Sequence, residues 1–311
     1  MAVRKQELRI PSNNGIHNLA SVVFLPEGQP VGFFQVVHGM TEYIGRYERF
    51  MCEMAERGWI CFGHDHLGHG YTVNNAAELG FIAHEGGADL LQRDVGRVAE
   101  TVIKHYTPAG KQLPYVLMGH SMGSFIVRLA VEKKYVAPDR LIVMGTGGPN
   151  PVAGIGLVLI KIIKALRGER HISKLLDDVA FGSYNDAWGG GTEIDTDPWL
   201  TSLQSVRMRY YNDPLCTFQF TASAMGDLVT LTKEANRKEW FKNMPKNIPV
   251  LLVAGQMDPV GDFSEGVMKV HEGLIKAGVK SEIKIYENAR HEILNDISYN
   301  DVVRDILAFC K

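Results

Sequence analysis

The stretch Tyr115-Val116-Leu117-Met118-Gly119-His120-Ser121-Met122-Gly123-Ser124-Phe125 restricts what this chain can fold into more than any other. An apolar run ends in G-H-S-M-G, and an apolar helical pattern begins directly behind it. A strand that passes through G-x-S-x-G straight into a helix must turn sharply at the serine, which pushes the hydroxyl out beyond the sheet. Side chains at Gly119 or Gly123 would collide with neighbouring backbone in such a turn, so both glycines are needed. The turn also sets Ser121 at a helix N-terminus, where N–H groups favour negative charge. So short a motif arises by chance, and the reading rests on its strand–turn–helix setting and on partners elsewhere in the chain.

The flanking chain supplies the rest of a sheet. Residues 5–12 and 18–25 read as two strands joined at Asn13-Asn14-Gly15, a hairpin signal. Continuous apolar runs at 32–38, 59–63, 141–144 and 249–255, and the one that ends in G-H-S-M-G, read as strands buried on both faces, the pattern of a parallel sheet. Helical spacing at 47–57, 88–106, 122–134, 263–277 and 297–310 alternates with them, with a last strand at 282–286. Strands alternating with helices predict an α/β fold, a mostly parallel central sheet covered by helices on both faces.

The alternation breaks once. Between Asn150 and Asn247 there is no clear buried strand. This segment holds an apolar stretch with lysines at 154–166, a Gly-Thr-Asp-rich middle at 189–198 and aromatic, Met-rich pieces up to 225. Because the pattern resumes afterwards, residues 1–148 and 249–311 read as one core and 150–247 as a helical cap inserted between two sheet strands. Inserted on the side where strands end, it would hang over Ser121 as a lid. The 154–166 stretch reads first as a helix packing onto the core, with lining an acyl pocket or resting on a membrane surface as the alternatives.

Composition narrows the partners. An apolar content of 45% and a charged content of 22% belong to a soluble globular chain. The net charge of −2 gives no electrostatic reason to expect nucleic acid or an anionic membrane. The first ten residues show no apolar leader, and no run approaches a membrane span. Cys52, Cys61, Cys216 and Cys310 have no C-x-x-C spacing, so a reducing cytoplasm is expected.

A serine hydroxyl needs an imidazole to take its proton and a carboxylate to hold that imidazole. In this architecture the order along the chain is serine, acid, histidine. Of the 11 histidines, His171, His271 and His291 follow Ser121. His171 lies in the insertion and His271 in mid-helix, whereas His291 sits in the loop directly after a strand, where such sheets line their ligand crevice. His291 is the expected base. Asp258, just past the 249–255 strand, is the expected acid, with Asp262 as the fallback; either residue could also be an ordinary turn aspartate. The N–H groups of Met122 and of Met40, in His38-Gly39-Met40, are the expected oxyanion donors. The loop with His64, Asp65, His66 and His69 invites a metal reading, but no H-E-x-x-H completes it, and a hydrogen-bonded turn is the expectation. No cofactor is called for.

With these residues in place, the chain resembles the serine hydrolases of the α/β-hydrolase fold, in particular the monoacylglycerol lipase and lysophospholipase-like branch of the serine aminopeptidase S33 type. The marks are Val37-His38-Gly39 with Glu42, Gly45, Arg46 and Tyr47; Asp65-His66-Leu67-Gly68-His69-Gly70; Gly119-His120-Ser121-Met122-Gly123; and Ala289-Arg290-His291-Glu292. The resemblance implies an acyl-enzyme mechanism, a helical cap and lipid-like monoester substrates with an apolar acyl chain. It also implies substrate contacts at Gly39, Glu42, Arg46 and His120. One position departs from the family: Leu294 stands where monoacylglycerol lipases tend to carry a second histidine that recognises the glycerol end. The alternatives are another acyl hydrolase of the fold (a thioesterase or peptidase), cofactor-free perhydrolysis, and a ligand-binding protein without turnover.

Overall fold

Neighbouring residues of the central strands feed two different cores. In the computed structural model, which describes residues 3–192 and 196–311, Phe33 and Phe34 are both fully buried but join separate apolar clusters. Leu117 and Met118 divide in the same way. Alternate side chains of a strand point to opposite faces, so a continuous apolar run is what a strand covered on both sides requires.

The hairpin is β1 (Arg4–Pro11) and β2 (Asn18–Leu25), antiparallel, with Gly15 at φ +70° in the turn. Then come β3 (Gly32–Val37), α1 (Glu48–Glu56), β4 (Trp59–His64), α2 (Gly87–Tyr106), β5 (Tyr115–His120), α3 (Met122–Glu132) and β6 (Arg140–Met144). After the insertion the chain continues as β7 (Val250–Gly255), α9 (Glu265–Lys276), β8 (Ser281–Tyr286) and α10 (Tyr299–Phe309). The eight strands lie in the order β1-β2-β4-β3-β5-β6-β7-β8, and every neighbouring pair from β4 to β8 is parallel. This is the α/β-hydrolase arrangement. Residues of α2, α3 and α9 pack on one face, and those of α1 and α10 on the other.

Strand β3 lies between β4 and β5, so the chain reverses its direction of travel across the sheet there. Ligands of open α/β sheets bind at such a switch point, outside the carboxyl ends of the strands. The ends of β3 and β5 deliver Gly39 and Ser121 to that edge.

The segment between β6 and β7 is helical in its described residues: α4 (Ala153–Arg167), α5 (Lys174–Phe181), α6 (Gln204–Tyr211), α7 (Ala222–Ala235) and α8 (Lys238–Asn243). Its Gly-Thr-Asp-rich middle falls partly on residues 193–195, outside the described residues. Helix α4 packs through one face, with Ile160 in the core cluster and Leu159 and Ile163 against it, and leaves the other face uncovered. Only Ala153 and Ile160 are buried, while Ile155, Val158, Ile162 and Leu166 are 50–77% exposed. Helix α8 does the opposite: Trp240 is fully buried, and its indole N–H donates to the Arg128 carbonyl of α3 at 2.9 Å.

Candidate active site

Ser121 occupies the turn between β5 and α3 at φ +53°, ψ −121°, a backbone region that L-residues rarely adopt and that costs about 1–3 kcal/mol. The surroundings hold it there. Its N–H donates to the Met144 carbonyl of β6 at 3.0 Å, and its carbonyl accepts the N–H and hydroxyl of Ser124 at 2.9 and 2.6 Å. Space is as tight as the sequence implied. A Cβ on Gly119 would lie 2.3 Å from the Gly123 carbonyl oxygen, and one on Gly123 would lie 2.2 Å from that of Val37. Met122 is the first residue of α3, so its N–H has no acceptor within the helix.

Asp258 and His291 come together from the loops after β7 and β8. Nδ1 of His291 lies 2.9 Å from Oδ2 of Asp258, and both side chains are buried. The second carboxylate oxygen, Oδ1, accepts the Val260 N–H at 2.9 Å. With Nδ1–H directed at the carboxylate, Nε2 carries the lone pair. The fallback, Asp262, is exposed and sits in a turn at φ +51°. His271 pairs instead with Ser281 at 2.9 Å. The rings of His120 and Trp199 flank His291 at centroid distances of 4.7 and 5.1 Å. Gly145 makes room for that packing, because a Cβ there would come within 3.3 Å of both imidazoles.

The loop after β3 is built on Glu42. Its Oε1 accepts the Gly39 N–H at 2.5 Å and the Tyr47 hydroxyl at 2.8 Å, and His120 Nδ1 approaches to 3.2 Å. Its Oε2 accepts Arg46 Nη1 at 3.0 Å. Burial opposes the charged carboxylate, but His120 and Arg46 overcome it and hold Glu42 well below the usual carboxylate range. The Gly39 N–H is thereby occupied, which leaves Met40 as the next backbone donor along the loop. Thr41 follows at φ +51°, strained for a β-branched residue.

The expectation of substrate contacts divides here. Glu42 and His120 line the cavity described below, whereas Gly39 and Arg46 do not. Gly39 is covered because even a Cβ would meet Ser121 Cβ at 3.0 Å. Arg46 is turned to Glu292, Nη1 to Oε1 at 2.6 Å and Nη2 to Oε2 at 2.7 Å.

The His-rich loop forms a hydrogen-bonded turn. Asp65 accepts the N–H groups of Ile44 and Tyr71, both at 2.8 Å. His38 Nδ1 donates to the Gly39 carbonyl at 2.8 Å while Nε2 accepts the His66 N–H at 3.0 Å, a geometry that needs the neutral imidazole. Burial pushes His38 and His64 down to about 3 and His69 to about 4. Among the described residues, no group of three His, Cys, Asp or Glu side chains is placed to hold a metal ion.

Above these residues lies a cavity of about 1030 Å³, with Ser121, Met40, Met122 and His291 in its floor. Leu159, Ile160, Phe220, Met225, Leu228 and Val229 of the insertion give it an apolar wall. The insertion is tied to both site loops. The Glu292 N–H donates to the Leu200 carbonyl at 2.8 Å, and the Tyr210 hydroxyl meets the Thr41 hydroxyl at 2.8 Å. Sequence reasoning had not singled out Trp199 or Tyr210, which lie in a segment without periodicity. Glu292 had been quoted in a motif without a role; a carboxylate beside the base and an arginine in the facing loop were the available signal.

Comparison with known proteins agrees with this geometry. The family described as serine aminopeptidase, S33, matches residues 28–298. Human monoglyceride lipase is 26% identical over 275 residues, covering 88% of this chain and 79% of that protein. The monkeypox virus monoglyceride lipase homolog is 23% identical over 273 residues, 86% of this chain and 84% of its own. A thermostable carboxyl esterase from Bacillus coagulans, solved in complex with glycerol, superposes with a TM-score of 0.89 at 28% identity, covering 99% of this chain and 98% of that one. The chain is a carboxylic ester hydrolase of the α/β-hydrolase fold, and it belongs to the serine aminopeptidase S33 family.

Proposed function

We propose that this enzyme hydrolyses lipid-like monoesters of the monoacylglycerol type through an acyl-enzyme on Ser121. The observation that carries the reading is the buried Asp258–His291 pair beside Ser121 at the floor of an apolar-walled cavity. Ser121 Oγ bonds to the ester carbonyl carbon as its proton passes to His291 Nε2. Asp258 holds the Nδ1–H and stabilises the imidazolium. The oxyanion is received by the N–H groups of Met40 and Met122, each such donor contributing about 3 kcal/mol in the transition state. His291 then protonates the departing alcohol as the carbonyl–oxygen bond breaks. A water attacks the acyl-enzyme, gives its proton to His291, and releases the acid and free Ser121.

The cavity lining supports an uncharged alcohol. Glu42 and Glu292 are balanced by Arg46 and His120, and Asp178 meets Lys174, but Asp177, Asp197 and Asp262 add three more carboxylates, while Lys269 is the only lysine or arginine among the described lining residues. An anionic headgroup would enter against that field.

The insertion acts in this reading as a cap whose outer face meets lipid. Ile155, Val158, Ile162 and Leu166 are exposed on α4 beside Lys161 and Lys164, the make-up of a helix that lies in a membrane interface. Among the described residues no helix is long and apolar enough to cross a membrane. Four free thiols suit a reducing cytoplasm.

A p-nitrophenyl ester series of increasing chain length, with Ser121→Ala as the blank, tests the acyl side. The reading expects a preference for medium or long chains, and a preference for acetate contradicts it. Hydrolysis of a monoacylglycerol and a lysophosphatidate with the same acyl chain tests the alcohol side. The neutral ester should be at least about 10-fold faster, and equal rates would rule out charge selection.

A further inference from the structure

We infer that His120, the residue before Ser121, is a fixed imidazolium that balances a buried carboxylate pair and positions the loop of the neighbouring base His291. The geometry leaves neither ring nitrogen a donor to accept from. Nδ1 lies 2.9 Å from the Tyr47 oxygen and 3.2 Å from Glu42 Oε1. Tyr47 already donates its proton to Glu42 at 2.8 Å, so toward His120 it offers a lone pair. Nε2 lies 3.3 Å from the main-chain carbonyl of His291, which can only accept. Acceptors at both nitrogens call for two N–H donors, the protonated ring.

Charge counting agrees. Around His120 stand Glu42 from the loop after β3, Arg46 and Tyr47 ahead of α1, and Glu292 and His291 from the loop after β8. Asp258 lies beyond His291. Side-chain exposures of Glu42, Arg46, Glu292 and His120 are 3%, 11%, 6% and 5%. Two carboxylates facing Arg46 alone would leave one buried negative charge uncompensated, and a charged His120 closes the balance. Burial opposes protonation of His120, but the hydrogen bond and charge of Glu42, followed by the charge of Glu292, outweigh it and raise its pKa.

One consequence follows for catalysis, and it rests on His291 as the base. The Nε2–H of His120 reaches the His291 main-chain carbonyl at 3.3 Å, and the two rings pack with their centres 4.7 Å apart, so His120 holds the base loop in place. His120 is thus a positioning residue.

The test has a spectroscopic and a kinetic arm. In histidine-¹⁵N-labelled wild type near pH 7, assigned by the signal lost in His120→Gln, both ring nitrogens of His120 should carry protons; Glu42→Gln should return the ring to the neutral form. One unprotonated ring nitrogen in wild type overturns the inference, whatever the variants do. In steady-state kinetics, His120→Gln keeps a donor without the charge and should lower kcat several-fold while KM changes little. An unchanged kcat in the folded variant overturns the positioning role. Failure of the base assignment reads differently, as an active site that His291→Ala leaves fully reactive.

Discussion

Glu292, the residue after His291, closes a two-pronged ion pair with Arg46, Nη1 to Oε1 at 2.6 Å and Nη2 to Oε2 at 2.7 Å. The pair joins the loop that carries the base to the loop that carries the Met40 N–H, with Glu42 bonded to the same guanidinium at 3.0 Å. The two halves of the site are therefore set against each other by one arginine.

Breaking that pair should be costly. Arg46→Met leaves the buried carboxylates Glu42 and Glu292 with His120 as their one remaining cation among the described residues, and removing one partner of a buried pair typically destabilises by about 3–5 kcal/mol. Chemical denaturation should show a loss of that size, and kcat should fall more than KM rises. A variant as stable as wild type would mean that the pair adds nothing to the fold.

Acid should destabilise the protein well before its carboxylates are all protonated. His38 and His64 are held down to about 3, His69 to about 4, and burial lowers His66 as well, from an ordinary value of 6.5. Between pH 6.5 and about 4 the unfolded chain takes up protons that the native state refuses, so stability falls as pH falls and is unaffected by these groups above that window. Each group contributes a slope of at most about 1.4 kcal/mol per pH unit. Burial raises Asp65 and Asp227 to about 6 and raises Asp94 and Asp177 as well, which works in the opposite direction, but the four histidines are shifted further and act from 6.5 downward. Melting temperatures at pH 7, 6 and 5 should drop stepwise. Neither ring nitrogen of His64 has a hydrogen-bond partner among the described residues, so His64→Leu should flatten the drop; an unchanged slope would contradict the assignment.

The outer face of α4 has its own signature. Val158→Asp with Leu166→Asp alters two side chains that are 58% and 77% exposed and lie outside the cavity lining. Hydrolysis of a long-chain monoacylglycerol presented in vesicles should fall several-fold, while a soluble short-chain ester is turned over as before. Equal effects on both substrates would place the lesion in the fold or the cavity and not at a lipid surface.

Much of this was legible in the sequence, for identifiable reasons. Strands such as Gly32–Val37 and Tyr115–His120 are buried along their whole length, so their apolar runs stand out. Ser121 and Asp258 each follow the end of such a strand and His291 follows the half-exposed edge strand Ser281–Tyr286, which makes their neighbourhood a consequence of topology. The insertion gave no comparable signal. Helix α6, Gln204–Tyr211, has two buried residues and no apolar stripe, yet its Tyr210 bonds Thr41 beside the expected oxyanion donor. Arg46 was expected to touch substrate because it stands in a motif near the site; what a motif cannot show is that a glutamate 246 residues away occupies its guanidinium.

Reaction of the enzyme with a fluorophosphonate ester tests the central claim most directly, because the probe bonds only to a serine activated by its base. Wild type should be labelled at Ser121 and at no other serine, with Ser121→Ala unlabelled and His291→Ala slowed by orders of magnitude. No label at Ser121, or equally fast labelling of His291→Ala, would contradict the account.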